Sequence, residues 1–252
     1  MIKKFKMKFP AFTGEEDRDV YIYLPKSYRS SDKRYPVLYM FDGHNVFYDE
    51  DASYKRSWRL GEYLDKHRTD LIVVGVECNK GENDAREIEY LPFSGPYFGK
   101  YYEGKGDDTM KWFVKVLKRK IDEEYRTLSD RNHTYLMGSS MGGIMTTYGL
   151  LKYNRYFSRG CSLSPAYFLC EEEMTRLVRG SKVIKGTTLY TDYGTKDLSV
   201  NEGAIETFNN VNTALIENGV NVTSRIVYKG IHHESTWEKQ LPFCIETLMY
   251  EE

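Results

Sequence analysis

The chain has 252 residues, of which 40% are hydrophobic and 29% are charged, and its 36 lysines and arginines nearly balance 37 aspartates and glutamates. The resulting formal net charge of −1 excludes the strong basic excess of a nucleic-acid-binding protein, and the apolar fraction is too high for a disordered chain. The length fits one α/β domain, and the sequence contains no run of about 18 apolar residues that could span a membrane.

The amino-terminal segment, residues 1–8, is basic but is not followed by the apolar stretch of a secretory signal. The cysteines are scattered and form no Cys-x-x-Cys pair; they are Cys78, Cys161, Cys170 and Cys244. Three of the four lie in or beside apolar stretches, which favours buried free thiols. These features predict a cytoplasmic protein, since that compartment keeps thiols reduced.

Apolar runs alternate with helical patterns along the rest of the chain. Strands are predicted, in chain order, at residues 20–25, 35–41, 71–76, 134–138, 160–163, 188–191 and 222–227. Helices are predicted at residues 58–67, 110–125, 141–153, 202–217 and 236–249. The alternation predicts a single α/β domain, residues 1–252, with a mostly parallel central sheet and helices on both faces. The segment 79–108 lacks clear periodicity, and its length favours a role in shaping a binding site.

The sharpest motif is Gly138-Ser139-Ser140-Met141-Gly142, which lies between the strand at 134–138 and the helix at 141–153. A Gly-x-Ser-x-Gly sequence in that context is typical of a nucleophile elbow, a tight turn that presents the serine hydroxyl above the sheet edge. The two glycines allow the strand and the helix to approach closely. Ser140 is therefore the predicted nucleophile.

A serine hydroxyl needs a base, and hydrolases with this elbow follow the order serine, acid, histidine. Two adjacent histidines, His232 and His233, follow the last predicted strand, and the residues alone do not separate them. A zinc site is not expected, because His233-Glu234 lacks the second histidine of the His-Glu-x-x-His motif.

The acid is expected after the strand at 188–191, where Asp192 and Asp197 are both available. A loop position suits a carboxylate that must reach the histidine nitrogen facing away from the serine, which favours Asp197. The oxyanion needs two main-chain N–H donors. Met141, the residue after the nucleophile, supplies one, and the loop 42–45, in which Gly43 permits a turn, supplies the other.

Together these residues resemble the putative-esterase branch of the α/β-hydrolases, which includes esterase D, siderophore esterases, feruloyl and acetylxylan esterases and mycolyltransferases. The matching pieces span nearly the whole chain in the family order: Pro36-Val37-Leu38-Tyr39-Met40-Phe41-Asp42-Gly43, the elbow 138–143, Leu163-Ser164-Pro165-Ala166, Gly194-Thr195-Lys196-Asp197 and His232-x-Glu234-x-x-Trp237. The resemblance implies an α/β-hydrolase fold, His232 as the base and the His44 amide as the second oxyanion donor, and it supports Asp197. His44 and His233 depart from the family's usual residue types, which leaves the substrate preference open.

Candidates for lining a substrate pocket are Trp58, Arg86, Glu89, Tyr90, Tyr167, Phe168 and Trp237. Arg86 could hold a carboxylate or phenolate of the substrate, or pair with Glu89. For each of these residues, packing or surface charge is an equally good interpretation.

The combined prediction is a serine carboxylesterase that hydrolyses small acyl or carbohydrate-linked acetyl and feruloyl esters through an acyl-enzyme, with no metal and no organic cofactor. Siderophore lactones, or acyl transfer to a sugar or lipid, use the same residues and are alternatives. A third alternative is a binding protein that kept the fold. The expected partner is a small-molecule ester; neither nucleic acid nor a membrane is expected, and the oligomeric state is left open.

Overall fold

The computed structural model describes residues 1–97, 99–198 and 203–250, and within these ranges a sheet of eight strands forms the centre of the molecule. The strands of this sheet are β1 (Ile2–Ala11), β2 (Gly14–Tyr23), β3 (Val37–Met40), β4 (Ile72–Val76), β7 (Thr134–Ser139), β8 (Arg159–Leu163), β9 (Thr188–Gly194) and β10 (Asn221–Val227). A separate hairpin is formed by β5 (Gly95–Tyr97) and β6 (Lys100–Tyr102).

The strand order from edge to edge is β1-β2-β4-β3-β7-β8-β9-β10. The β1–β2 and β2–β4 pairs are antiparallel, and every pair from β4 to β10 is parallel. In a parallel array all carboxyl ends meet at one edge. The loops that follow β3, β7, β8, β9 and β10 therefore gather there, and these loops carry the predicted site residues.

The helices are α1 (Leu60–His67), α2 (Ala85–Tyr90), α3 (Gly106–Trp112), α4 (Lys118–Glu124), α5 (Met141–Lys152), α6 (Glu171–Gly180), α7 (Thr195–Leu198), α8 (Ala204–Glu217), α9 (Glu234–Trp237) and α10 (Leu241–Met249). They cover both faces of the sheet. Alternate residues of β3 enter opposite hydrophobic clusters: Tyr39 belongs to the cluster that includes residues of α3, α5 and α8, whereas Leu38 belongs to the one that includes residues of α1 and α10. Burial on both faces explains the continuous apolar runs in the sequence.

The sequence predictions match most of this architecture, and the predicted mostly parallel sheet with helices on both faces is confirmed. The basic segment 1–8 is largely the edge strand β1, which was not predicted, and neither was α6. The segment 79–108 contains α2, the β5–β6 hairpin and the start of α3. The predicted helix 110–125 is interrupted by a π-helical turn, Phe113–Leu117. Residue 202, the predicted start of another helix, lies outside the described residues.

Among the described residues, no helix has both the length and the apolar character needed to cross a membrane.

Candidate active site

Ser140 occupies the sharp turn between β7 and α5. Its backbone angles are φ 58° and ψ −119°, a conformation that costs a non-glycine residue on the order of 1–3 kcal/mol. The turn is tight because strand and helix nearly touch: a Cβ on Gly138 would lie 2.6 Å from the carbonyl oxygen of Gly142. The Ser140 amide donates to Leu163 O on the neighbouring strand at 2.9 Å, which fixes the turn against β8. These are the local features of a nucleophile elbow.

His232 follows β10, and its imidazole contacts the carboxylate of Asp197 after β9. The distance from His232 Nδ1 to Asp197 Oδ2 is 2.9 Å. An ionised carboxylate only accepts hydrogen bonds, so in this contact Nδ1 carries the proton and Nε2 is left with a free lone pair. The Asp197 side chain is fully buried, whereas that of His232 is 41% exposed. The buried carboxylate thus orients the imidazole through Nδ1, while part of the ring remains accessible to solvent.

Two further contacts fix this pair. The amides of Lys196 and Asp197 both donate to Gly230 O, at 2.9 and 3.2 Å, which joins the loop after β9 to the loop after β10. The Trp237 ring packs edge-on against His232 with centroids 5.1 Å apart, and its indole N–H donates to Ser164 Oγ at 3.1 Å. Trp237 therefore packs against His232 and is itself hydrogen-bonded to Ser164 in the loop after β8.

The alternative acid and base residues, Asp192 and His233, have contacts that differ from those of Asp197 and His232. Asp192 is buried and accepts from the Tyr190 hydroxyl at 2.9 Å and from the Ser164 amide at 3.4 Å. Burial raises the pKa of Asp192 to about 7, although both donors act in the opposite direction. His233 caps α9, where its Nδ1 accepts from the Ser235 amide at 3.1 Å. The geometry therefore favours Asp197 and His232 over Asp192 and His233.

The loop that follows β3, residues 42–45, is called here the β3 loop. Asp42 adopts a left-handed conformation, with φ 54° and ψ 49°. Gly43 packs on β4, where a Cβ would lie 2.4 Å from the backbone carbon of Gly75, so no larger residue fits without displacement. His44 is buried, and its Nε2 lies 3.0 Å from Ser53 Oγ. The β3 loop thus packs on β4 and lies close to the elbow, since a Cβ on Gly142 would lie 3.4 Å from Asp42 Oδ2.

Asp42 also binds outside its own loop. Both of its carboxylate oxygens accept from Arg86 of α2, at 2.8 and 2.7 Å, and its amide donates to the Tyr90 hydroxyl at 3.1 Å. Burial alone would raise the pKa of Asp42, but the Arg86 guanidinium lowers it below its usual value. Sequence reasoning missed this pair; its only signal was that both residues fall within candidate site segments.

Several residues predicted to line a pocket belong to the protein interior instead. Trp58, Tyr90, Tyr167 and Trp237 are each at most 4% exposed. Trp58 packs on Trp237 at 5.8 Å between centroids, and Tyr167 and Thr147 share a hydrogen bond of 2.6 Å. These buried side chains pack beneath the candidate site and do not form a solvent-accessible pocket surface. Phe168, by contrast, is 39% exposed.

The suggested pairing of Arg86 with Glu89 is wrong. Arg86 binds Asp42, and Glu89 binds Arg18 of β2 through two hydrogen bonds of 2.6 and 2.9 Å. The i,i+3 spacing on α2 would allow the two side chains to meet, but each already has a two-point partner outside the helix. One charged residue of the segment thus reaches the β3 loop and the other reaches the antiparallel part of the sheet.

One group of ligating side chains occurs within the described ranges: Asp42, His44 and Cys78 have potential ligand atoms within 4.8 Å of one another. This group fits a resident cation poorly. Both Asp42 oxygens are engaged by Arg86, whose positive charge would repel a metal ion at the same carboxylate. Burial also raises the pKa of the Cys78 thiol, which disfavours the thiolate that a metal would need.

The strand order, the strained serine between strand and helix, and the histidine–carboxylate contact at the same sheet edge define an α/β-hydrolase fold. Residues 13–245 match the family model described as putative esterase, and the chain belongs to this family.

Individual relatives are distant. The chain is 22% identical over 242 residues to the uncharacterized protein YbbA of Bacillus subtilis, with 90% of each chain covered. An IroE-like serine hydrolase from Shewanella oneidensis is similar in structure, with a TM-score of 0.77, 18% identity, and coverage of 96% of this chain and 79% of that one. A ferulic acid esterase gives a TM-score of 0.71 at 17% identity, with 98% of both chains covered. The structural likenesses support the fold.

Proposed function

We propose that this protein is a serine carboxylesterase that uses Ser140, His232 and Asp197. The observation that carries the proposal is the 2.9 Å contact between His232 and Asp197 at the sheet edge where Ser140 stands in its strained turn. A buried carboxylate behind a partly exposed imidazole is the arrangement that makes histidine a base towards a serine hydroxyl.

The reaction follows from these positions. Ser140 Oγ attacks the ester carbonyl carbon while His232 Nε2 takes the hydroxyl proton, and Asp197 stabilises the resulting imidazolium. The main-chain amides of Met141 and His44 donate to the oxyanion. Collapse of the tetrahedral intermediate breaks the bond to the alcohol oxygen, which receives the proton from His232. A water molecule, activated by the same imidazole, then attacks the acyl-enzyme and releases the acid.

The exposure pattern suits both half-reactions. The His232 side chain is 41% exposed, so water can reach it for deacylation, while Asp197 is shielded and keeps its hydrogen bond in a poorly solvated setting where electrostatic stabilisation is strong. The Met141 amide lies at the start of α5, where main-chain N–H groups are free of intrahelical partners.

The proposed substrates are small acyl esters and carbohydrate-linked acetyl or feruloyl esters, and the similarity to a ferulic acid esterase is the reason to include the latter. Siderophore lactones and acyl transfer are the alternatives, because they need the same three residues.

The proposed location is the cytoplasm, supported by the four cysteines, which are all buried free thiols.

Labelling with a fluorophosphonate probe, followed by mapping of the modified residue, tests the mechanism. We expect the label on Ser140 and its loss in Ser140→Ala. Ser139→Ala is the matched control, because it removes the adjacent hydroxyl at the end of β7 and should keep the label. A label on another residue, or none on the folded protein, would contradict the proposal.

The substrate class needs a separate measurement. We expect turnover of nitrophenyl acetate, nitrophenyl butyrate and methyl ferulate, all lost in Ser140→Ala. Turnover of a cyclic siderophore alone would move the assignment to the siderophore esterases. Product partition between water and added alcohols would distinguish acyl transfer from hydrolysis.

A further inference from the structure

We propose that Arg86 is a positioning residue for ester hydrolysis: through Asp42 it holds the β3 loop in place and neutralises a carboxylate that belongs to this loop and lies close to the first turn of α5. The inference rests on the proposed function, because it concerns the same site. It assigns Arg86 a role that differs from binding substrate.

The first support is the geometry of the ion pair. Arg86 Nε and one terminal guanidinium nitrogen donate to the two Asp42 oxygens at 2.8 and 2.7 Å, the two-point arrangement that fixes orientation as well as distance. Tyr90 lies one helical turn further along α2 and accepts from the Asp42 amide at 3.1 Å. The guanidinium also lies over the Tyr90 ring, 5.3 Å from its centre. One face of α2 therefore binds both the side chain and the main chain of Asp42.

The second support is the location of Asp42. A Cβ on Gly142 would lie 3.4 Å from Asp42 Oδ2, so the carboxylate is adjacent to the first turn of α5, beside Met141. Along the chain, Asp42 precedes the β3 loop's Gly43 and His44. Asp42 thus belongs to one of the two segments whose amides are proposed to bind the oxyanion, and its carboxylate lies close to the other segment at Gly142.

This location has an electrostatic consequence. A negative charge at Asp42 opposes the negative charge that develops on the substrate oxygen. The positive charge of Arg86 compensates the negative charge of Asp42. The same contacts maintain the left-handed conformation of Asp42, with φ 54°. Without Arg86 the site would hold a buried, uncompensated carboxylate next to the oxyanion, and the β3 loop would lose a restraint.

The molecule contains a matched control for this pair. Arg18 binds Glu89 of the same helix α2 through two hydrogen bonds of 2.6 and 2.9 Å, and both side chains are nearly inaccessible. This pair has the same chemistry and is more deeply buried, since the Arg18 side chain is 2% exposed and that of Arg86 27%. Its other hydrogen bonds within the described residues are with Glu16 and the backbone of Glu77 and Asn79, away from the β3 loop. Removing Arg18 should therefore report the structural cost alone.

The experiment compares Arg86→Gln, Arg18→Gln, Asp42→Asn and the double variant Arg86→Gln/Asp42→Asn. We measure kcat and KM for an ester, the thermal midpoint, and the affinity for a trifluoromethyl ketone. This ketone forms a tetrahedral adduct with a serine, whose oxygen occupies the oxyanion position, so its affinity reports the donors and not merely folding.

For Arg86→Gln we expect kcat to fall about 100-fold, as for loss of an oxyanion donor, with KM changed less than about threefold and ketone affinity falling in parallel with kcat. The double variant should recover about tenfold of that loss, because it removes the uncompensated charge. Arg18→Gln should melt at a lower temperature yet keep kcat within about threefold. Arg86→Lys should lie in between, since an ammonium cannot reproduce the two-point contact.

If Arg86→Gln does not fold, Tyr90→Phe serves instead, because it removes only the hydroxyl that binds the Asp42 amide; we expect a three- to tenfold loss of kcat, on the order of one neutral hydrogen bond. Unchanged kcat in folded Arg86→Gln, an equal loss in Arg18→Gln, or no recovery in the double variant would overturn the inference while leaving Ser140 as the nucleophile. Full activity in Ser140→Ala would overturn the proposed function, and this inference with it.

Discussion

The proposed site contains a buried carboxylate on each of its two sides, and the pKa values of these two carboxylates shift in opposite directions. On the oxyanion side Asp42 is bound by a guanidinium, and its pKa is lowered. On the acid–base side Asp192 accepts from a hydroxyl and an amide, and burial raises its pKa to about 7 because neither these donors nor the charge of Arg225 offsets it. Both side chains are at most 7% exposed. The comparison shows that burial sets the direction of the pKa shift unless a cation of fixed geometry opposes it.

The acid–base side also differs in how its residues are held. Asp197 and His232 lie on the loops after β9 and β10, and hydrogen bonds to Gly230 O connect these two loops directly. The β3 loop is instead bound by Arg86 of α2, a helix 44 positions further along the chain. Local sequence motifs predict the residues of the acid–base side, but they do not predict the contact that holds the β3 loop. Three predictions test this division.

The largest effect is expected at the histidines. His232→Ala should lower kcat by about 10⁴-fold or more, because the base is removed from the serine. His233→Ala should keep most of the activity and lose about 1 kcal/mol of stability with its helix cap. Steady-state kinetics on variants with measured thermal midpoints checks this pair. A dead His233→Ala beside an active His232→Ala would reverse the assignment.

The next effect concerns the two aspartates. Asp197→Asn should lower kcat about 10²–10⁴-fold, since the amide cannot stabilise the imidazolium and favours the wrong tautomer. Asp192→Asn should leave kcat nearly unchanged, because the contacts of Asp192 are with Tyr190 and Ser164. The same kinetic assay decides. A larger loss in Asp192→Asn would move the acid to the end of β9, and no loss in either would indicate a serine–histidine dyad.

The smallest effect is on stability alone. The folded-state pKa of Asp192, about 7, lies above the value of about 3.9 for an unfolded chain, so the folded state binds more protons between these values. Asp192 should therefore become increasingly destabilising as pH rises from about 4 to 7, by at most about 4 kcal/mol. Denaturant unfolding of wild type and Asp192→Asn across this range measures the difference. A constant difference would show that Asp192 titrates normally.

Much of the fold was predictable because burial on both faces leaves a simple signal. The central strands β3, β4 and β7 are buried at every position, and apolar residues make up most of β3 and β4. The edge strand β1 was missed because its lysines alternate with only a few buried residues, so charge dominated the pattern. Three consecutive glutamates similarly concealed the start of α6.

Within the site, the strand–turn–helix context identified the elbow, and chain order restricted the acid and the base to two candidates each. The contact between Arg86 and Asp42 could not be predicted, because it joins residues 44 positions apart and neither lies in a segment whose sequence shows clear periodicity. Burial of the aromatic candidates was equally hidden, since a tyrosine or tryptophan in a loop looks the same in sequence whether it faces solvent or the core. The motifs thus indicate the proposed reacting groups but not the residues that hold them in place.

The lysines of β1 have a consequence for the protein in concentrated solution. This strand is an outer edge of the sheet, where unpaired backbone groups are a template for another chain's strand. Lys4 and Lys6 bind Asp19, and Lys8 binds Asp17, on the adjacent strand β2, so the side chains stay anchored along the edge. An approaching copy would have to bury these charges or meet its own lysines, so the charged β1 edge disfavours edge-to-edge growth of the sheet into aggregates.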